Sequence, residues 1–421
     1  MNDLKKTPNL IKLNSYIVIQ RQGYFKLHQL SSKAEIMLGK DKIDLSCVID
    51  KPFWTVFKMI PSKGSKREFA LEVCSQTEDF SKEFSSGADN RNITDDGSSQ
   101  NLTSDDINEM RESGLSAQVI LEKIIENSKT FKEKTEYSQE KYLKKKEKKY
   151  FEYIIVREPT IRLLSEIFYF RDQSKILGLR HDALSQIYTL ANIQHNGIYA
   201  LFENGTQGLV GAGVLNYLSD NGLLINLTIN NQPQKQAILA MNFGPEKLMQ
   251  FVSVKLKDLV NSTQNKNNEV EDASNEKLSS DQINNSLQTN VEPSPIKRKH
   301  STDETECPKK PRWTEDLEKA VATLKEKQLN GIIIVAKEYP LNILTLLLPY
   351  LKPSSQLVIY CQYREPLVQL YVELKKRRDI IGLHLLENWL RLYQVLPDRT
   401  HPDVTMNCTG HILTGIKVLN S

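Results

Sequence analysis

Between residues 15 and 75, short apolar runs trade places with turn residues at intervals too brief for helices. The runs are Tyr16-Ile-Val-Ile19, Tyr24-Phe-Lys-Leu27, Ile43-Asp-Leu45, Thr55-Val-Phe-Lys-Met59 and Phe69-Ala-Leu-Glu-Val73. Arg21-Gln-Gly23 and Pro61-Ser-Lys-Gly64 punctuate them. Short strands separated by turn signals predict a small antiparallel β-barrel or sandwich. Trp54, beside Pro52 and Phe53, is expected in its core rather than as a base-stacking platform.

From Asp89 the pattern becomes a polar connector, DNRNITDDGSSQ, and then takes on helical spacing. Thr103 and Asp106 are spaced as a helix-start capping pair, and Gly114 reads as a stop. Ser116 can cap the next helix, whose apolar stripe is Val119, Leu121, Ile124 and Ile125. A third helical piece follows, NSKTFKEKTEYSQEKYLKKKEKKYFEY. Between Lys129 and Lys149 it holds nine lysines against four glutamates, with Phe131, Tyr137, Tyr142, Tyr150, Phe151 and Tyr153 threaded through and after them. Lys141, Lys144, Lys145 and Lys148 fall at i, i+3, i+4 and i+7, on one helix face. On its own the run reads either as a solvated face or as a phosphate-binding arm. The tyrosines read either as packing or as base-stacking groups.

From Ile176 onward, helical segments alternate with apolar runs of little internal alternation. The runs are Ile198–Glu203, Leu223–Ile229, Ala237–Met241, Gly331–Val335 and Leu357–Cys361; the helical segments between them include Pro245–Val260, Thr314–Lys327 and Glu365–Arg378. Such runs are those of buried parallel strands, and the alternation predicts a doubly wound α/β domain. Trp389–Val395 and His411–Val418 lie too close for a helical crossover and are expected to pair antiparallel. Five parallel strands and such a pair are the grammar of the methyltransferase version of the Rossmann-like fold.

Composition then sharpens the divisions. Residues from about 261 to 312 are Asn, Ser, Glu, Gln and Lys with almost no aromatics, a disordered insertion by composition. Within it, Lys297-Arg298-Lys299 and Lys309-Lys310-Pro-Arg312 resemble a bipartite nuclear import signal, so a nuclear location is expected. The fold class expected is therefore α/β plus all-β. An N-terminal small antiparallel β-barrel (1–85) precedes a helical, lysine-rich connector (86–175) and a methyltransferase-like α/β domain (176–421). The formal net charge is only +4, so any nucleic-acid footprint must be local. Cys47, Cys74, Cys307, Cys361 and Cys408 have no pairwise spacing, which argues for reduced thiols and against a zinc cluster. No run approaches the length of a membrane span.

In a doubly wound sheet the ligand site lies at the carboxyl ends of the strands. The turn after the first strand is glycine-rich, with Gly205, Gly208 and Gly211, but it lacks the tight G-x-G approach. The second strand ends Ile229-Asn230-Asn231-Gln232, without the acid that would hold two ribose hydroxyls. After the fourth strand comes Val335-Ala336-Lys337-Glu338, where Glu338 reads either as a functional acid or as an ion-pair partner of Lys337. Two requirements fail and one is ambiguous, so the cofactor site is expected to be degenerate. His181, His195, His384, His401 and His411 have no metal-ligand spacing. The residues themselves leave three functions open: a binding and scaffolding subunit, a self-sufficient S-adenosylmethionine enzyme, and an RNA-binding translation factor.

The lysine stretch, with DNRNITDDGSSQNLT before it and ENWLRLYQVLPDRTHPDVTMNCTG near the C-terminus, resembles one family. It is that of the non-catalytic subunit of the eukaryotic tRNA adenine-N1 methyltransferase, which acts on the T-loop adenosine at position 58. The resemblance implies a chain with no cofactor of its own, S-adenosylmethionine being bound by a paralogous catalytic partner. It also implies a dimer of heterodimers and a tRNA-binding surface here. The catalytic paralogue carries an Asp-x-Pro-x-Pro-Trp pattern after its fourth strand; this chain has Ala336-Lys-Glu-Tyr-Pro340, with Ala336 where the acid would stand. In that context Lys132, Lys134, Lys141, Lys144, Lys145, Lys148 and Lys149 are the expected tRNA contacts.

Overall fold

The computed structural model describes residues 9–62, 67–74, 100–112, 117–150, 153–230, 232–262, 312–326, 328–395, 400–402 and 410–419. They fall into two units. One spans Met1–Asp172 with Gln236–Asn242 and Trp389–Cys408; the other spans Gln173–Lys235, Phe243–Asn388 and Thr409–Ser421.

The first unit is built on β1 (Tyr16–Arg21), β2 (Tyr24–Gln29), β3 (Glu35–Leu38), β4 (Asp41–Asp44), β5 (Val56–Pro61) and β6 (Glu68–Cys74). A seventh strand, β7 (Tyr153–Arg157), enters from beyond the helices and sits between β1 and β5. The sheet therefore crosses the boundary expected near residue 85. Its order is β2-β1-β7-β5-β6-β4-β3. It is mixed, whereas an antiparallel barrel was expected, because β4 and β6 run parallel. β5 and β6 are committed to each other as a hairpin; β4 takes the free edge of β6 with Ile43 opposite Phe69, both facing the core. The Lys26 ammonium of edge strand β2 donates to the Met37 carbonyl of edge strand β3 at 2.6 Å, and Arg21 of β1 pairs with Asp41 of β4 at 2.8 Å. Strict alternation puts Ile17, Ile19, Phe57, Met59, Ile154 and Val156 inside one core.

Trp54 is not in that core. It is 56% exposed, and its φ of +73° turns the side chain outward, while neighbouring Phe53 packs against the core instead.

Three helices follow: α1 (Ser104–Glu112), α2 (Ala117–Glu126) and α3 (Glu136–Tyr150). The capping pair forms as spaced. The Thr103 amide donates to Asp106 Oδ2 at 2.9 Å, and the Asp106 amide donates to Thr103 Oγ1 at 3.2 Å. Those hydrogen bonds hold the Asp106 carboxyl below its ordinary value. Ile107, Ile120 and Ile124 form one small core and Leu121, Ile125 and Phe131 another, with Tyr142 packed against both. Gly114 and Ser116 lie outside the described residues. After β7 come α4 (Ile161–Arg171), capped by Thr160, and the second unit's α5 (His181–Leu190).

The second unit carries a doubly wound sheet of β8 (Ile198–Glu203), β9 (Leu223–Thr228), β10 (Phe251–Lys255), β11 (Leu329–Val335), β12 (Leu351–Cys361), β13 (Ile380–Glu387) and β16 (His411–Lys417). Their order is β10-β9-β8-β11-β12-β16-β13, with β16 the one antiparallel strand. β8 and β9 are buried along their whole length. Helices α6 (Leu209–Tyr217), α9 (Arg312–Glu326), α10 (Pro340–Leu347) and α11 (Arg364–Lys375) accompany the strands.

Three expectations about this sheet are corrected. The run Ala237–Met241 is helix α7 (Gln236–Ala240), not the third strand, and belongs to the first unit. There Asn242 brackets Tyr16, accepting from its amide at 2.7 Å and donating to its carbonyl at 2.8 Å. Ala, Leu and Met are good helix formers, and five residues are too few to reveal a period. The third strand is β10, inside the helix expected over Pro245–Val260. Pro245 starts only a short helix, α8 (Pro245–Met249), and Phe251-Val-Ser-Val then extends beside β9. Finally, β16 pairs with β12 and β13, not with Trp389–Val395. Tyr393–Val395 (β14) instead forms a small hairpin with Thr400–Pro402 (β15) in the first unit.

Candidate functional site

Two regions hold the residues singled out by sequence: the lysine helix of the first unit and the strand ends of the second.

On α3, Lys141 and Lys145 are exposed, as is Lys132 just before it. Lys134 is half-buried, its ammonium donating to Thr130 at 2.9 Å, and Lys146 lies 5.2 Å from the Tyr142 ring. The backbone of Lys144, Lys148 and Lys149 is helical, so the four-lysine spacing shares one face; the side chains of these three lie outside the described residues. What anchors the helix is its other chemistry. Gln139 is buried and donates to the Phe131 carbonyl at 2.9 Å, and Gln394 of the β14–β15 hairpin donates to Glu140. Tyr142 tilts on Phe131 with ring centres 5.5 Å apart, and Tyr137 meets His401 edge-on at 5.6 Å. Two of the tyrosines thus have packing roles within their own unit, and the helix turns part of its lysine face to solvent.

The strand ends tell a different story. The loop after β8 has Gly205 at φ +95°, Gln207 at +57° and Gly208 at +80°. That conformation aims three successive backbone N–H groups at one point, a nest suited to an anion. The point is already filled. Gln234 Oε1 accepts from Gly205 N at 3.0 Å, Thr206 N at 3.1 Å and Gln207 N at 3.0 Å. The Gln234 backbone presses equally close: a Cβ at position 208 would meet its carbonyl oxygen at 2.5 Å. The next anion position, the start of α6, is also taken from within. Glu203 Oε1 accepts from Val210 N at 3.0 Å and its Oε2 from Gly211 N at 2.9 Å, while the Thr206 hydroxyl donates to the same carboxylate. Burial raises the Glu203 carboxyl, and these hydrogen bonds offset only part of that rise.

At the end of β11, Ala336 is buried and Glu338 turns to Asn204, whose amide donates to it at 2.5 Å. The ambiguity at Glu338 resolves as a tie between the ends of β8 and β11 and not as an ion pair with Lys337. Lys337 lies beside Gly205, its Cε 3.2 Å from where a Cβ there would stand. Beyond β9 and β10 a cleft is lined by Thr228, Lys235, Ser253, Asp258, Arg312 and Asp316. Burial, then the neighbouring Arg312, lowers the Lys235 ammonium. Arg312 opens α9 and donates to the Leu248 carbonyl at 3.5 Å. Lys297, Arg298, Lys299, Lys309 and Lys310 lie outside the described residues. Among the described residues there is no cluster of three or more His, Cys, Asp or Glu that could hold a metal, and no helix long and apolar enough to cross a membrane.

With this geometry in view, comparison with known proteins gives a family match over residues 10–284, described as the Gcd10p family. The chain belongs to the Gcd10p family. Its curated relatives include the tRNA (adenine(58)-N(1))-methyltransferase non-catalytic subunit TRM6 of Mus musculus, 33% identical, with 96% of this chain and 88% of the mouse protein covered. The non-catalytic subunit of the same name from Dictyostelium discoideum is 30% identical, covering 99% of this chain and 81% of that one. That of Debaryomyces hansenii is 25% identical, over 98% and 88% respectively. Among solved structures, the tRNA (m1A58) methyltransferase TrmI of Aquifex aeolicus matches at 10% identity and a TM-score of 0.47, covering 98% of this chain and all of that one. The fold reading rests on the strand order and not on that likeness. In this Gcd10p-family chain, sequence reasoning missed Gln234 altogether. It sits 29 residues from Gly205, in a stretch without periodicity, and nothing local marks it as the occupant of the glycine loop.

Proposed function

We propose that this chain is the non-catalytic, tRNA-binding subunit of a tRNA N1-methyladenosine-58 methyltransferase, acting beside a paralogous catalytic subunit in a dimer of heterodimers. The observation that carries the non-catalytic half is Gln234. A cofactor entering the glycine loop would have to evict an amide that satisfies three backbone donors, and no acid follows β9 to repay the loss. In this reading the chain holds no cofactor, and S-adenosylmethionine belongs to the partner. The tRNA-binding half rests on the exposed Lys132, Lys141 and Lys145, in a helix that the family resemblance assigns to tRNA. Lys134, Lys144, Lys148 and Lys149 complete the proposed set. The basic clusters at Lys297–Lys299 and Lys309–Arg312 address the complex to the nucleus.

Reconstitution tests this reading. The catalytic subunit is assayed alone and with this chain, following tRNA binding and methyl transfer to adenosine 58. Both activities are expected to depend on this chain. Full activity of the catalytic subunit alone would contradict it.

A further inference from the structure

We infer that the outer face of the first sheet carries a second RNA contact, a platform on which Trp54 and Arg157 stack an unpaired nucleobase. This rests on the tRNA-binding reading above and names where, apart from the lysine helix, a base would be held. Trp54 is a bulky residue in the left-handed region, at φ +73°, a genuine outlier for its type. Its amide is fixed by the Val156 carbonyl at 2.6 Å, so the strained backbone is held in place by β7. Strain of this kind persists where the surroundings impose it, and it concentrates at ligand sites. Here it has a visible consequence: a tryptophan leaves the core and keeps more than half of its surface open.

The guanidinium of Arg157 lies 4.2 Å from the centre of the Trp54 ring and 5.6 Å from that of Phe25. Its Nη1 donates to Gln20 at 3.1 Å, but its Nε is buried without a partner. A half-buried guanidinium held between two rings extends the flat surface of Trp54, over which a planar ligand can stack. On β1, β7 and β5 the core residues alternate with outward ones, among them Gln20, Ile155 and Lys58. Lys58 is exposed and has Glu72 of β6 directly opposite it, so the face carries both signs of charge. Exposed aromatic rings with a stacked arginine are the chemistry that receives splayed bases.

The test uses the complex assembled with its catalytic partner and unmodified tRNA. Trp54→Gly removes the ring while suiting φ +73°, so the variant is expected to melt at or above the wild-type temperature. Its tRNA affinity should fall by about 5- to 100-fold, with Trp54→Tyr retaining most of it. The dependence of affinity on salt should not change, because the ring neutralises no phosphate. Wild-type tRNA affinity in Trp54→Gly would overturn the inference and leave the functional reading standing. Loss of assembly with the partner, at unchanged tRNA affinity per assembled complex, would overturn it in favour of a protein contact. Failure of the wild-type complex to bind tRNA would remove the functional reading, and this inference with it.

Discussion

The loop after β8 and the surface around Trp54 both hold backbone in the left-handed region and both present hydrogen-bond donors. They differ in who answers them. In the loop, Gln234 and Glu203 take the N–H groups of residues 205, 206, 207, 210 and 211. On the sheet face, an arginine donor stays unmatched and a tryptophan stays open. The loop answers its own donors, although one carboxylate oxygen of nearby Glu338 stays buried without a partner, whereas the sheet face leaves an aromatic surface open. In the reading proposed above, binding falls to the first unit and the strand ends of the second serve as support.

Three variants and one pH effect break or sharpen that contrast, ranked by what each does to folding. Gly208→Ala should cost most. The residue sits at φ +80°, where a Cβ costs roughly 1–2 kcal/mol, and that Cβ would meet the Gln234 carbonyl at 2.5 Å. Together the expected loss is about 3 kcal/mol in denaturant unfolding, and a variant of wild-type stability would mean that the loop is open rather than packed. Gln234→Ala comes next, at about 2 kcal/mol for three donors left without their acceptor, that of buried Thr206 among them. It should gain no S-adenosylmethionine affinity, since the acid after β9 is missing as well; a gain would show that Gln234 alone keeps the cofactor out. Changing Lys141, Lys144, Lys145 and Lys148 together to glutamine should leave stability within about 1 kcal/mol. The slope of log tRNA affinity against log salt should flatten by roughly 2 to 4 units, and an unchanged slope would remove the helix from the interface.

The smallest effect is local and depends on pH. The Thr103 hydrogen bonds depress the Asp106 carboxyl, so its capping contribution is complete above the ordinary carboxylate value. It is lost as pH falls through the lower, folded value. The amides at the start of α1 should begin to exchange faster only below about pH 4. Fraying that starts above the ordinary value would mean that another group holds the helix end.

Local grammar was legible in the sequence, and distant pairing was not. Thr103 and Asp106 lie three residues apart and formed as read. The buried runs of β8, β9 and β11 announced themselves because both faces are covered. Ala237–Met241 and Phe251–Lys255 exchanged roles, since runs of five carry no decisive period and Pro245 suggested a longer helix than it starts. β7 escaped notice because its partners lie far back in the chain, Ile19 of β1 opposite Val156 and Phe57 of β5 opposite Ile154. Trp54 looked like core beside Phe53 because composition does not reveal a backbone angle. The irregular spacing of the glycine loop was readable in the sequence, but Gln234 as its occupant was not.

The most direct test of the account is the number of S-adenosylmethionine molecules held by the assembled complex at saturation, measured by equilibrium dialysis. The account predicts one per heterodimer, unchanged when Gln234 is replaced by alanine. Two per heterodimer would show that the strand ends of this chain bind cofactor after all.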